Sequence, residues 1–414
     1  MLSRVLCAHS RFLSGEATFD RSARSLAARQ VIDAAAGGMK CAMLVPMRYV
    51  AMLFLLSSCV AFAQEPAPDR LLNSAIDAQQ HGDYRTAILD YENLLKIRPN
   101  MGEARANLGV ALAHIGRFDE AIVQYRLALS TTADKDGIRL NMGLAYYKKG
   151  DLTNAARQFE DLHPKRPQDL QLAVLLGDCY LKLGRADKAV AMLAPLEAEN
   201  APNPDFEYVL GEAEIASGQR RAGAERLGKL AAATQSADAY LLAGSALMDS
   251  NEFELARKDL DAALKLNPRL PRIYTLAGLA RDKTGDQAGA EPIFREALKQ
   301  NPDDFEANLY LGAILYKRRA IADARPFLDK ALQLKPDDVM ARYESAMLES
   351  TAGKYDDAAK ELEAVVKENP DWLQPYLELA NVYYRLHRPD EGAKERAIIA
   401  RLTAQQQMKV PGQP

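Results

Sequence analysis

The sequence predicts an all-α solenoid of about ten stacked helix-turn-helix repeats, and three combs of small residues predict it. Glycines at 82, 116, 150, 184 and 218 fall 34 residues apart, and after one 33-residue step the series resumes through Asn251, Gly285 and Gly353. A second comb runs through Gly109, Gly143, Gly177 and Gly211, then Gly244, Gly278 and Gly312, then Ala346 and Ala380. The third is alanine at 87, 121, 155, 189, 256, 290, 324 and 358, with glycine at 223 and 392. One phase shared by three combs marks a repeated pair of helices. Such an array is one continuous core however long it grows.

Residues 103–133 show how one unit is built. Leu108, Gly109, Ala111 and Leu112 put small and apolar residues on one face of a first helix, and Gly116 supplies the left-handed residue that ends it. Asp119 is expected to cap a second helix that continues through Ala121, Tyr125, Ala128 and Leu129. Gly109 and Ala121 are small so that the two helices approach closely, and Tyr125 is expected to fill the volume between hairpins. The turn glycine becomes Asn251, Arg319 and His387 in three repeats, of which only asparagine is well suited to that conformation.

The order Leu108-Gly109, Ala111-Leu112, Gly116-Arg117-Phe118, Ala121, Tyr125 and Ala128-Leu129 resembles the tetratricopeptide repeat (TPR) family. Proline at 99, 167, 268, 302, 336 and 370 closes six units, as repeats of that family usually do. The resemblance covers residues 69–407 and implies a right-handed superhelix whose first helices line a concave, partner-binding groove. The fifth repeat departs from the pattern: Gly223 replaces the packing alanine and no closing proline precedes Ser236. Weaker packing there marks either a degenerate repeat or a hinge near residues 230–239, dividing repeats 1–5 (69–235) from repeats 6–10 (236–407). In the tenth repeat Arg396 stands where other second helices carry a large apolar residue, which suits a solvent-facing end, with residues 408–414 as a flexible tail.

The first 63 residues are of another kind. Residues 1–46 carry scattered arginine, serine and alanine without a fold pattern and read as an extension upstream of a start at Met39 or Met47. Arg48 precedes an apolar run at 49–60 followed by Ala61-Phe62-Ala63, so residues 47–63 read as a secretory signal cut before Gln64. Leu56-Ser57-Ser58-Cys59 also resembles a bacterial lipobox, which would leave Cys59 lipidated and the array tethered; an uncleaved anchor is a third reading. The chain is therefore expected to be exported, as a periplasmic or envelope-associated protein. Seven of the 53 Lys or Arg and three of the 56 Asp or Glu lie in residues 1–63, so the remainder carries a formal charge of −7. A mildly acidic chain without a basic stripe speaks against nucleic acid as a partner. Only Cys179 lies beyond the leader, where it is expected to be a buried, inert thiol.

The sequence holds no Cys-x-x-Cys, His-Glu-x-x-His, phosphate-binding glycine loop or Gly-x-Ser-x-Gly elbow, so no catalytic residue, metal or cofactor is expected. Of five dispersed histidines, only His81 and His114 are placed to approach each other. Asp303-Asp304 and Asp337-Asp338 follow closing prolines, where they suit helix starts.

What remains is the groove. Asn73, Asn107 and Asn141 share one phase on the inner face of successive first helices; such amides bond a peptide backbone without reading its sequence. The same residue type also serves within hairpins. Farther along, the position becomes Leu175, Val209, Leu242 and Leu276, and neighbouring inward positions supply Tyr147, Tyr208, Met248, Tyr316, Tyr343, Met347 and Tyr384, bordered by Lys148, Lys182, Lys283, Lys317 and Arg385. The arrangement of lysines and asparagines that defines the family's chaperone-tail clamp is not reproduced. The expectation is a non-catalytic scaffold or adaptor binding proteins or extended peptides. A membrane-tethered structural component, or the recruiting subunit of a separately encoded enzyme, stands as the alternative; the oligomeric state stays open.

Overall fold

The computed structural model describes residues 68–133, 135–199 and 203–408. The signal segment, the lipobox with Cys59 and most of the expected tail lie outside the described residues, which are almost wholly helical and contain no strand. They form two compact units, one up to residue 199 and one from residue 203.

In the first unit, hairpin 1 is α1 (Pro68–Gln80) with α2 (Tyr84–Ile97), and hairpin 2 is α3 (Gly102–His114) with α4 (Phe118–Ala128). Hairpin 3 is α5 (Lys135–Lys149) with α6 (Leu152–Leu162), and hairpin 4 is α7 (Leu170–Lys182) with α8 (Ala186–Leu193). The second unit continues with α9 (Pro204–Ala216) and α10 (Arg220–Thr234), then α11 (Ala237–Asp249) and α12 (Phe253–Leu266), then α13 (Ile273–Lys283) and α14 (Gln287–Gln300). Its last three hairpins are α15 (Phe305–Lys317) with α16 (Ile321–Leu334), α17 (Val339–Thr351) with α18 (Tyr355–Glu368), and α19 (Leu373–Arg385) with α20 (Pro389–Met408).

The three combs have three distinct jobs. Every residue of the first is in the left-handed region, including Asn251 (φ 59°), Arg319 (φ 66°) and His387 (φ 59°), so all ten hairpins turn alike. Because Arg319 holds a conformation that costs a side-chain-bearing residue, Arg319→Gly should raise stability by about 0.5–1 kcal/mol, measured as a higher midpoint in urea. The second comb is a row of seats. A Cβ added at Gly109 would lie 2.6 Å from the Tyr125 ring, and one at Gly143 2.5 Å from Phe159. Tyr125 thus fills the inside of its own hairpin rather than the space between hairpins, because its ring needs the glycine-floored trough of the facing helix. The third comb, fully buried from Ala87 to Ala358, is the other side of the same close approach.

Helix starts follow local chemistry. Asp83, Asp151, Asp286, Asp304 and Asp338 each accept a backbone N–H three residues on, so the Asp-Asp pairs behave as expected. Asp119 does not: α4 starts two residues too early for it to cap, Arg117 occupies the cap position, and Asp119 pairs with Lys149 instead.

The fifth hairpin reverses the expectation of loose packing. A Cβ at Gly223 would lie 2.4 Å from the Gly211 carbonyl oxygen and 2.8 Å from Ile215, so glycine stands there because α9 and α10 come closest. Arg226 ties them further, with Nε 3.0 Å from Glu214 and Nη1 2.7 Å from Glu207. Ala224, Leu227, Ala237 and Ala243 share one core, so packing is continuous across residues 230–239. The division into units falls instead between Glu199 and Asn200. There α8 is only 8 residues long and gives way to a 3-10 segment, Ala194–Glu199, at Pro195, which has no N–H to continue the helix.

Candidate functional site

The side chains that the core leaves over on the first helices make up the candidate surface. In the first unit Asn73 is exposed on α1, whereas Asn107 and Asn141 are half-buried on α3 and α5. Asn107 lies near its neighbour: burial pushes the Tyr91 phenol of hairpin 1 up to about 12 and the nearby Asn107 amide opposes that shift, yet the buried Tyr91 hydroxyl has no hydrogen-bond partner among the described residues. The three amides share a phase as the sequence implies, with Asn107 and Asn141 less exposed than Asn73.

Tyr147 and Lys182 come together with a third residue that the sequence reading missed. The Tyr147 hydroxyl donates to the buried carboxylate of Asp178. The Lys182 ammonium pairs with Asp178, donates to the Tyr147 oxygen at 2.8 Å and sits 4.9 Å from the ring centroid. Burial and then the Asp178 charge hold the phenol far above its ordinary pKa, so it remains a neutral donor. The triad locks α5 to α7. Its legible signal was the Asp178/Lys182 spacing of one helical turn beside an inward tyrosine. Lys148, next along α5, is half-buried and its pKa is lowered by that burial.

Cys179 is fully buried, and burial pushes its thiol up to about 12, which keeps it inert. His81 and His114 do not meet: His114 stacks on Tyr84 at 4.3 Å between centroids, and His81 lies against the Asp77 carbonyl. Among the described residues no three His, Cys, Asp or Glu are grouped to hold a metal ion.

In the second unit Tyr208 packs against the core of hairpins 5 to 7. The Tyr316 and Thr351 hydroxyls bond at 3.0 Å. Tyr343 tilts against Trp372 with 4.8 Å between centroids, and burial raises its phenol to about 12. Tyr384, 38 % exposed, and Arg385 line one open depression with Ser350, Thr351, Tyr355 and Asn381. Gly392 replaces the packing alanine to admit the Tyr384 ring, and the exposed Arg396 lies 5.3 Å over that ring.

Continuing the asparagine phase beyond Leu276 gives Tyr310, Glu344 and Glu378, a run that the sequence reading left unextended. Burial raises the pKa of Glu344, while Lys317 opposes the shift and Asp282 adds to it. A carboxyl whose folded pKa is raised binds more protons folded than unfolded, so stability falls as pH rises from the ordinary carboxylate range through the raised value. Glu344→Gln should therefore stabilise the protein at neutral pH and lose that advantage in acid, as read by thermal midpoints across pH.

Comparison with known proteins agrees with this architecture. Tetratricopeptide repeat models match residues 72–137, 275–339 and 343–404, residues 146–213, and residues 237–270. Among curated proteins, the chain is 23% identical over 293 residues to the BBSome complex member BBS4 of Bos taurus, covering 62% of this chain and 56% of that one. It is 33% identical over 78 residues to the photosystem I assembly protein Ycf3 of Synechococcus sp. (strain WH7803), covering 18% and 45%. The chain spans about half the length of the curated relatives it matches. Similar solved structures include YrrB, a TPR protein with an unusual peptide-binding site, at a TM-score of 0.40 and 19% identity over 46% of this chain and 97% of that one. Another is pilF of Pseudomonas aeruginosa, at a TM-score of 0.42 and 22% identity over 50% and 95%. With hairpins recurring every 34 residues, each turned by a left-handed residue, and repeat models matching from residue 72 to residue 404, the chain belongs to the tetratricopeptide repeat family.

Proposed function

We propose that this chain is an exported, non-catalytic scaffold of a bacterial envelope that holds partner polypeptides against the inner face of its first helices. Tetratricopeptide repeat proteins are in general protein-interaction scaffolds, and arrays of this kind use extended concave surfaces. One observation carries the reading: the inner positions keep amides, tyrosines and cations at or near the surface, as at Asn73, Lys148, Tyr316, Lys317 and Tyr384, on helices otherwise buried in the core. Such side chains offer backbone-directed hydrogen bonds and apolar anchors together. The test is a quantitative pull-down from envelope extract with residues 64–414, beside an Asn73→Ala, Asn141→Ala, Tyr384→Ala variant. A protein enriched at least about tenfold by the parent and lost by the variant, at unchanged helical content, is the expected result. Equal enrichment by both would remove the groove reading.

A second reading has its own observation. Leu89, Val123 and Leu127 are 56%, 49% and 44% exposed on the second helices of hairpins 1 and 2. Leu89 and Val123 are one repeat apart, so they form an apolar group on the outer side. A tethered structural component that docks through its outer face would use it. Mass spectrometry of the mature N-terminus separates cleavage before Gln64 from lipid on Cys59, and the latter favours this second reading.

A further inference from the structure

The last hairpin carries a carboxyl oxygen that nothing satisfies. Glu395, on α20, is half-buried, and its Oε2 is enclosed without a hydrogen-bond partner among the described residues. The groups around it come from three helices. From α18 it feels the Glu363 carboxylate, and from α19 it adjoins the Tyr376 and Tyr383 phenols. On α20 itself the neighbouring cation is Lys394, which is exposed. The other donors are engaged. The Tyr383 hydroxyl donates to Glu363 Oε1 at 2.8 Å, and the Tyr376 hydroxyl donates to the Val366 carbonyl at 3.3 Å. Arg388, at the turn before α20, pairs with Glu391 at 2.9 Å and lies 4.6 Å over the Tyr383 ring. Arg401, farther along α20, acts on Tyr376.

An ionised Glu395 is penalised twice, by leaving water without a donor and by standing near a second acid. Burial, and then the Glu363 charge, accordingly raise its pKa. A protonated Glu395 brings its own donor, and the Glu363 carboxylate is an acceptor with a free lone pair. We propose that Glu395 and Glu363 form an acid-operated latch, in which one shared proton holds α20 against α18 and α19 and its loss loosens the last hairpin. The sign follows from linkage. A carboxyl that holds its proton more tightly when docked favours docking most below the ordinary carboxylate range, and that contribution is lost as pH rises through its raised value. The latch closes in acid and loosens toward neutral pH. Loosening uncovers Leu402, which is buried, and frees the Tyr384 ring from its seat on Gly392. No partner in the groove is needed for this, so the latch stands or falls apart from the scaffold reading.

The test is hydrogen exchange of the full chain at about pH 5 and about pH 7, corrected for intrinsic rates and read over residues 389–405, with residues 102–128 of hairpin 2 as the internal reference. Protection of the parent over 389–405 should fall by at least about threefold more than the reference on going to the higher pH. Glu395→Gln, neutral at both pH values and carrying its own donor, should abolish that extra fall. Glu363→Gln, which still accepts from Tyr383, should move it to lower pH. An extra fall of equal size in Glu395→Gln, or none in the parent, would overturn the latch. A second reading needs no variant to fold: in the parent with carbon-13 at the glutamate carboxyls, one resonance should titrate above the ordinary glutamate range and broaden with exchange over 389–405. If every glutamate of hairpins 9 and 10 titrates within that range, the shared proton does not exist.

Discussion

Arg226→Ala should destabilise hairpin 5 by about 3–5 kcal/mol, because it strands two carboxylates where water cannot fully replace the lost cation. The Arg226 side chain is 15% exposed, that of Glu214 is 9% and that of Glu207 is 23%. The guanidinium holds Glu214 through both carboxylate oxygens, at 3.0 and 3.1 Å, and Glu207 through a third bond at 2.7 Å. The penalty comes from the unpaired acids, so replacing all three members by apolar residues of similar volume should recover most of it. A repeat array does not unfold as one two-state body, so the measurement is hydrogen exchange resolved over residues 204–234. Protection that falls there in Arg226→Ala and returns in the triple replacement is the expected pattern. Equal loss in both variants would show that packing alone holds the hairpin.

Phe159→Ala should cost about 3–5 kcal/mol in hairpin 3 for a different reason, the cavity left under a ring that is completely enclosed. The ring lies on Gly143, whose missing Cβ leaves its floor. Gly143→Ala alone should cost about 1–3 kcal/mol by overpacking. In a Phe159→Leu background that penalty should shrink or change sign, since hairpin 9 already packs Ala346 and Leu362 in one buried core. A double-mutant cycle read by hydrogen exchange resolved over residues 135–162 tests the coupling. Strict additivity would mean that ring and glycine do not share the volume assigned to them.

Much of this architecture was legible because it is periodic. The turn residues, including the unfavourable Arg319 and His387, took the left-handed conformation that their place in the comb requires. The outward place of Arg396 was equally readable, since a charged residue where other second helices carry a large apolar one faces solvent. What the sequence hid was pairwise. Gly223 looked like a defect, yet it permits the closest helix approach in hairpin 5. Composition does not say which of two helices a missing side chain makes room for. The shortened α8 was masked by an alanine comb that continues correctly through Ala189, while the decisive residue, Pro195, lies outside every comb.

For the candidate surface the limits were similar. The inward phase of Asn73, Asn107 and Asn141 was visible, but the unequal burial of the three amides was not. Tyr147 and Lys182 were identified as separate contacts, and they are one locked unit around Asp178. Periodicity locates a side chain on a face; whether that side chain is spent there depends on its neighbour one repeat away. Tyr384 and Arg385 are adjacent in sequence and meet in one depression, so their association was the easiest to see.

The seat-and-ring contacts join residues 16 apart in the chain, as Gly109 with Tyr125 and Gly143 with Phe159. Each hairpin can therefore be completed as soon as its own segment emerges from the ribosome, without waiting for distant sequence. Adding or losing a whole repeat changes the length of the array and leaves the folding problem of every other repeat nearly as it was.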